Sequence, residues 1–145
     1  MTEKAQNFEN HTKRVPAFHF VVLPIFFLNI IWCIERVIRR HTFGTIVSLL
    51  VAIALLLLAF NARIFALTVQ NRIIRLEMQL RLQQVLPQNL KPRIAEFTLD
   101  QLVSLRFASD AELPELARKV LDEKLNDRKA IKKLIRNWQP DFLRA

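Results

Sequence analysis

The sequence holds a single glycine, Gly44, and a single cysteine, Cys33, in 145 residues. Each scarcity excludes something. A glycine-rich phosphate loop cannot be built from one glycine, because it needs several positions where bare backbone approaches the ligand. One cysteine leaves no intramolecular disulfide to form, and it lies in an apolar run where it reads as a small apolar side chain. The histidines His11, His19 and His41 are too scattered to give a metal cluster of helical spacing. Asp110, Glu112, Glu115, Asp122 and Glu123 fall on amphipathic stretches, where helix-start electrostatics and solvated faces account for them. No set of convergent polar groups stands out, so the expectation is a protein without catalytic residues, metal or cofactor.

Charge is also missing over long stretches. From Val15 to Ile34 there is no charged side chain, and from His41 to Ala62 there is none either. A run of about 20 such residues spans the roughly 30 Å hydrocarbon layer at 1.5 Å per residue. Two helices apolar on every side need more covering sequence than a chain this short offers, so a bilayer is the expected environment. The first run contains two prolines and ends in charged residues, a poor match to a cleavable signal, and the expectation is that it stays attached. The fold class read from this pattern is all-α, a two-helix transmembrane hairpin whose second helix continues as a stalk into a small helical domain. The divisions expected are an N-terminal tail over 1–14, the hairpin over 15–62, the stalk over 63–86 and a basic helical domain over 87–145.

Between the runs, Glu35 to Gly44 carries the reversal, and glycine's freedom at positive φ points to Gly44 as the turning residue. Glu35 and Arg39 are spaced to pair on the last turn of the first helix. Pro24 is expected to kink that helix, while Pro16 fits its first turn, where no donor is needed. Counting outward from the loop brings His19 and Asn61 to nearly the same depth, and Asn29 and Ser48 to within about a helical turn. Hydrogen bonds across the hairpin between these pairs would clamp it. A proton-relay role for His19 lacks an intramembrane carboxylate to work with.

The flanks hold Lys4, Lys13, Arg14, Arg63, Arg72, Arg75 and Arg81 against Arg36, Arg39 and Arg40 in the loop. The excess places both termini in the cytoplasm. The net charge of +9 is spread over both halves of the chain and favours anionic partners, acidic lipid or nucleic acid.

No helix breaker occurs from Ile46 until Pro87. Along the emergent part Ala62, Ala66, Val69, Ile73, Leu76 and Leu80 alternate at intervals of four and three, a coiled-coil seam. Leu67, Ile74, Met78, Leu82 and Val85 form a second strip. Either both strips pack against the chain's own C-terminal helices, or the seam formed by Val69, Ile73, Leu76 and Leu80 pairs two protomers. Beyond the Pro87–Pro92 linker, capping-box patterns start at Thr98 with Gln101 and at Ser109 with Glu112, and Asn126 is a third N-cap. Pro114 would disturb the first turn of the middle helix, which moves its start toward Leu113. Leu113, Leu116, Ala117, Val120 and Leu121 make that helix's apolar face, and Ile131, Leu134, Ile135 and Trp138 that of the last one.

The last helix carries Arg128, Lys132 and Arg136 in one stripe with Lys129 and Lys133 beside it. It reads as a solvated face, or as a surface for acidic lipid headgroups or another anionic partner. Nucleic acid is the less favoured partner, because side chains suited to base edges are missing among the lysines and arginines. The function expected is that of a membrane-anchored, non-enzymatic interaction or accessory protein, docking on acidic lipid or on an unidentified protein partner. A homo-oligomer through the seam is compatible with this, and a membrane-tethered nucleic-acid binder is the alternative.

The chain also resembles a family of small, uncharacterised bacterial two-span membrane proteins, classed as a domain of unknown function. The carriers are Gln6 to His11, Ala62-Arg63 with Arg72 to Leu76, Leu105 to Leu116, Asp127 to Lys133, and Asn137 to Asp141. This resemblance implies a bacterial inner-membrane location and transfers no functional residue.

Overall fold

The computed structural model describes Phe8 and residues 15–141, and among these residues every named element is a helix and none is a strand. The chain falls into two compact units, one of which ends at Leu67, while the other comprises Phe8 and the residues from Thr68 onward.

In the first unit, helix α1 runs over Ala17–Arg40 and opens with a π-helical stretch, Ala17–Val22. Leu23 donates its N–H to the Phe18 carbonyl, five residues back. The wider winding stands immediately before Pro24, whose missing N–H breaks the ordinary ladder, so the expected disturbance is absorbed as a π-helical turn. Glu35 and Arg39 pair at 2.7 Å near the other end, as their spacing predicts.

The reversal corrects the reading of Gly44. His41 is the residue in the left-handed region, at φ 43° and ψ 36°, and no glycine has a positive φ. A helix commonly ends on one left-handed residue, and histidine is among the side chains that tolerate it. Its N–H still reaches the Val37 carbonyl at 3.0 Å. Gly44 instead sits in the first turn of helix α2 (Phe43–Val85), where a Cβ would meet nothing within 4 Å. Thr42 caps this helix with Thr45: each backbone N–H donates to the other's hydroxyl, at 3.2 and 3.4 Å.

The two helices lie antiparallel, with the rings of Phe18 and Phe60 in edge-to-face contact at 6.3 Å between centroids. The buried residues of the hairpin are small ones, Cys33, Thr45 and Ala52. Small side chains let the two helix backbones approach closely. Around them the large side chains point outward, with Leu28 67% and Leu58 64% exposed.

In the second unit the C-terminal half of α2 packs with a 3-10 turn (Lys91–Glu96) and helices α3 (Leu99–Leu105), α4 (Leu113–Asp122) and α5 (Arg128–Leu134). α2 contributes Ile74, Met78 and Leu82, and Leu86 follows just past its end, to a core that closes around Leu102, Leu105, Phe107, Leu113, Val120 and Ile131. The Thr98–Gln101 capping box forms in full, with Thr98 N–H donating to the Gln101 side chain at 2.8 Å and Gln101 N–H to the Thr98 hydroxyl at 3.3 Å.

The other two expected caps are corrected. α4 starts at Leu113 with Glu112 as a side-chain-free cap, and Pro114 occupies its first turn, where a missing donor costs nothing. Asp127, not Asn126, caps α5: its carboxylate accepts from Lys129 N–H at 3.3 Å and Ala130 N–H at 2.9 Å. Asn126 accepts instead from the Gln101 amide at 3.3 Å. α5 is also shorter than the apolar periodicity suggests. It ends at Leu134, and the following segment is extended, with Gln139 N–H donating to the Phe107 carbonyl at 2.7 Å and Ser109 N–H to that of Asn137 at 3.1 Å. This short pairing brings Ala108 opposite Trp138 and sets the Trp138 ring against Phe107.

Candidate functional site

The four polar residues expected to clamp the hairpin satisfy themselves along their own helices. His19 Nδ1 lies 2.9 Å from the Val15 carbonyl, Asn61 donates to the Leu57 carbonyl at 2.8 Å, and Ser48 donates to that of Gly44 at 2.8 Å. Asn29 accepts from the Cys33 thiol at 3.9 Å. The interhelical pairing is thus replaced by contacts within a helix. A carbonyl one turn back is always in reach, and back-bonding to it needs no alignment of a second helix.

The basic face is less free than its charge suggests. Arg128 is ion-paired with Asp100. The Lys132 ammonium lies 5.2 Å from the centre of the Phe107 ring and that of Lys133 5.8 Å from the Phe8 ring, within range of cation–π attraction. Arg136 lies beyond the helix end instead of completing a helical stripe, because Glu112 captures the backbone there, accepting from Arg136 N–H at 3.2 Å and Asn137 N–H at 3.3 Å. Lys129, Lys133 and Arg136 are exposed.

α2 separates its two apolar strips. Ile74, Met78 and Leu82 are buried in the domain core, whereas Val69, Ile73, Leu76 and Leu80 are exposed. At 100° per residue the two sets point about 170° apart, so packing that covers one leaves the other bare.

One side chain that the sequence reading counted only as a flanking charge organises the domain. Arg81 donates to the Asp110 carboxylate at 2.7 Å, to the carbonyls of Arg106 and Ala108 at 3.1 and 2.6 Å, and to the Gln139 side chain at 2.6 Å. The planar guanidinium fork suits several acceptors converging from different segments. Its partners lie 25 to 58 residues away, and no local pattern signals them. Arg93 performs a similar task nearer the surface, bridging Asp122 at 2.7 Å and Glu96 at 3.2 Å. Its pKa is raised, by the hydrogen bond to Asp122 first. The Asp127 carboxyl is held below its ordinary range by the two amides it caps. Arg106 stacks on Phe107 at 4.6 Å and stands 3.4 Å from the Asp141 carboxylate.

Among the described residues no three His, Cys, Asp or Glu side chains converge as metal ligands would. Arg81, Arg93, Gln101 and Glu112 are engaged in clamps, bridges and caps, whereas the apolar seam of α2 is exposed. The model of a family described as of unknown function, DUF6526, matches residues 1–145. No curated protein and no solved structure matches the chain.

Proposed function

We propose that this chain, which belongs to the DUF6526 family of unknown function, is an integral membrane protein that anchors a non-enzymatic helical interaction module at a bacterial inner membrane. The observation that carries the reading is the contrast between its two units. Both helices of the hairpin are long and apolar enough to cross a membrane and turn their large side chains outward, while the domain after them closes its own core. Each large apolar side chain left in water forfeits about 1.5 to 3 kcal/mol, and the hairpin exposes more than a dozen, so lipid is the solvent that suits it. The excess of Lys and Arg on the flanks over the loop supports cytoplasmic termini.

The module's work is docking. Arg81, Arg93, Gln101 and Glu112 are spent on holding the domain together, which supports an accessory role over a chemical one. Acidic lipid attracts exposed cations at about 1 kcal/mol each near the surface, and the engagement of Arg128 and Lys132 within the domain reduces the number on offer. Nucleic-acid binding, which grows with the number of phosphates neutralised, loses by the same reduction. A protein partner on the bare seam of α2 is therefore the better-supported contact. Alkaline carbonate washing of membranes tests the anchor: the protein stays in the pellet, and its release into the supernatant would end the two-span reading.

A further inference from the structure

We infer that the partner of the exposed α2 seam is a second copy of the same chain, docked in parallel as a short two-stranded coiled coil with reciprocal Arg72–Glu77 ion pairs. The inference rests on the interaction-module reading above and names its partner.

Val69, Ile73, Leu76 and Leu80 are 57%, 51%, 60% and 53% exposed, and they follow one another at intervals of four, three and four. That is the spacing of heptad positions d, a, d and a. Ile73 at a followed by Leu76 at d is the combination that favours two strands. The seam is self-complementary, because each helix supplies both the knobs and the holes.

Charge then selects the orientation. Glu77 is the one acidic residue of α2 and falls at position e, beside the seam. Arg72, at position g, is five residues before it. In a parallel pair, g of one helix meets e of the next heptad on the other, so Arg72 of each copy faces Glu77 of its partner, twice by symmetry. An antiparallel pair sets e beside e and g beside g, which leaves Glu77 near Gln70 and Arg72 near Gln79. Arg72 and Glu77 are both exposed, and neither has an ion-pair partner among the described residues. Two copies inserted in one membrane with the same topology also present their α2 helices in parallel.

A seam of two heptads is short for a free peptide, since helix nucleation would consume most of what association returns. Here the helix is already formed, and its opposite face is held by Ile74, Met78 and Leu82 in the domain core. Association meets a preorganised surface, and confinement to a bilayer raises the effective concentration of the partner.

The test uses the full chain in native membranes, in a Cys33→Ala background, with single cysteines at Ile73, Leu76 and Leu80 and a control at exposed Arg75, which points away from the seam. The expected result is same-position disulfide dimers at all three seam positions, several-fold above the Arg75→Cys control. Glu77→Arg should reduce the Leu76→Cys dimer several-fold, and adding Arg72→Glu should restore it. Equal yields at positions 75 and 76 would mean random collision and overturn the inference. A dimer at one seam position alone would indicate antiparallel crossing and overturn it too, as would a Leu76→Cys yield indifferent to Glu77→Arg. Carbonate fractionation of the same samples separates the two claims. Seam dimers in protein that carbonate releases would keep the pairing and sink the anchor, whereas retained protein without seam dimers would do the reverse.

Discussion

Arg81 Nε donates to Asp110 Oδ1 across 2.7 Å, and the same guanidinium holds the carbonyls of Arg106 and Ala108 and the side chain of Gln139. One side chain thereby ties α2 to the loop between α3 and α4 and to the extended segment after α5. Hydrogen bonds to charged groups contribute about 1.5 to 3 kcal/mol each when well made, and solvent access at the Asp110 end reduces the share of that bond. Arg81→Ala should therefore destabilise the domain by about 2 to 4 kcal/mol, because it also leaves the two carbonyls without their donor. Arg81→Lys should recover less than half of that, since an ammonium cannot reach acceptors on three sides with a fixed fork. Urea unfolding of the detergent-solubilised protein, followed by tryptophan fluorescence, reads both. A midpoint unchanged in Arg81→Ala would show that the clamp is redundant.

How far such features were legible depends on how local they are. Thr98 and Gln101 announce a capping box because both partners stand within four residues, and the box is there. Ser109 and Glu112 show the same pattern and do something else, because the Glu112 carboxylate is taken by the amides of Arg136 and Asn137. A contact 24 residues away overrides a local preference, and no single-sequence pattern reports it. In the hairpin, counting outward from the loop set His19 level with Asn61, and their neighbours Phe18 and Phe60 do meet. The hydrogen bonds went elsewhere because depth fixes which residues are level, not which faces meet. The α2 strips were readable as two apolar rows, but which of them the domain would bury was not, since that depends on where α3, α4 and α5 fold back.

The Asp127 cap makes a prediction in acid. Its carboxyl is held below the ordinary value of 3.8 by the Ala130 and Lys129 amides, so the folded state binds its proton less readily than the unfolded chain. A depressed carboxylate contributes stability that is fully present above the unfolded value and lost as pH falls through the folded one. The protein should therefore lose stability to this cap below about pH 4. Asn caps about as well as Asp and does not titrate. Asp127→Asn should therefore match the parent at pH 5 and above and keep more of its stability near pH 2, flattening the decline between pH 5 and pH 2 in thermal melts. An identical pH profile in the two proteins would show that the cap does not couple to acid unfolding.

Topology gives the last prediction, and it follows from the count of flanking cations. Lys and Arg near the ends of short loops are retained on the cytoplasmic side, and the side bearing the termini holds seven such residues against Arg36, Arg39 and Arg40 in the loop. The three loop arginines oppose this orientation, but the Arg39 charge is partly offset by its ion pair with Glu35 at 2.7 Å. The balance favours a loop outside and both termini inside. Phe43 is 83% exposed beside the reversal, and Glu123 is exposed at the end of α4, so each accepts a cysteine without disturbing a core. In a Cys33→Ala background, a thiol reagent unable to cross the membrane should label Phe43→Cys in intact cells and spare Glu123→Cys until the cells are opened. The opposite pattern would invert the topology. Labelling of both in intact cells would mean that the arginines of the loop are numerous enough to let the chain insert both ways.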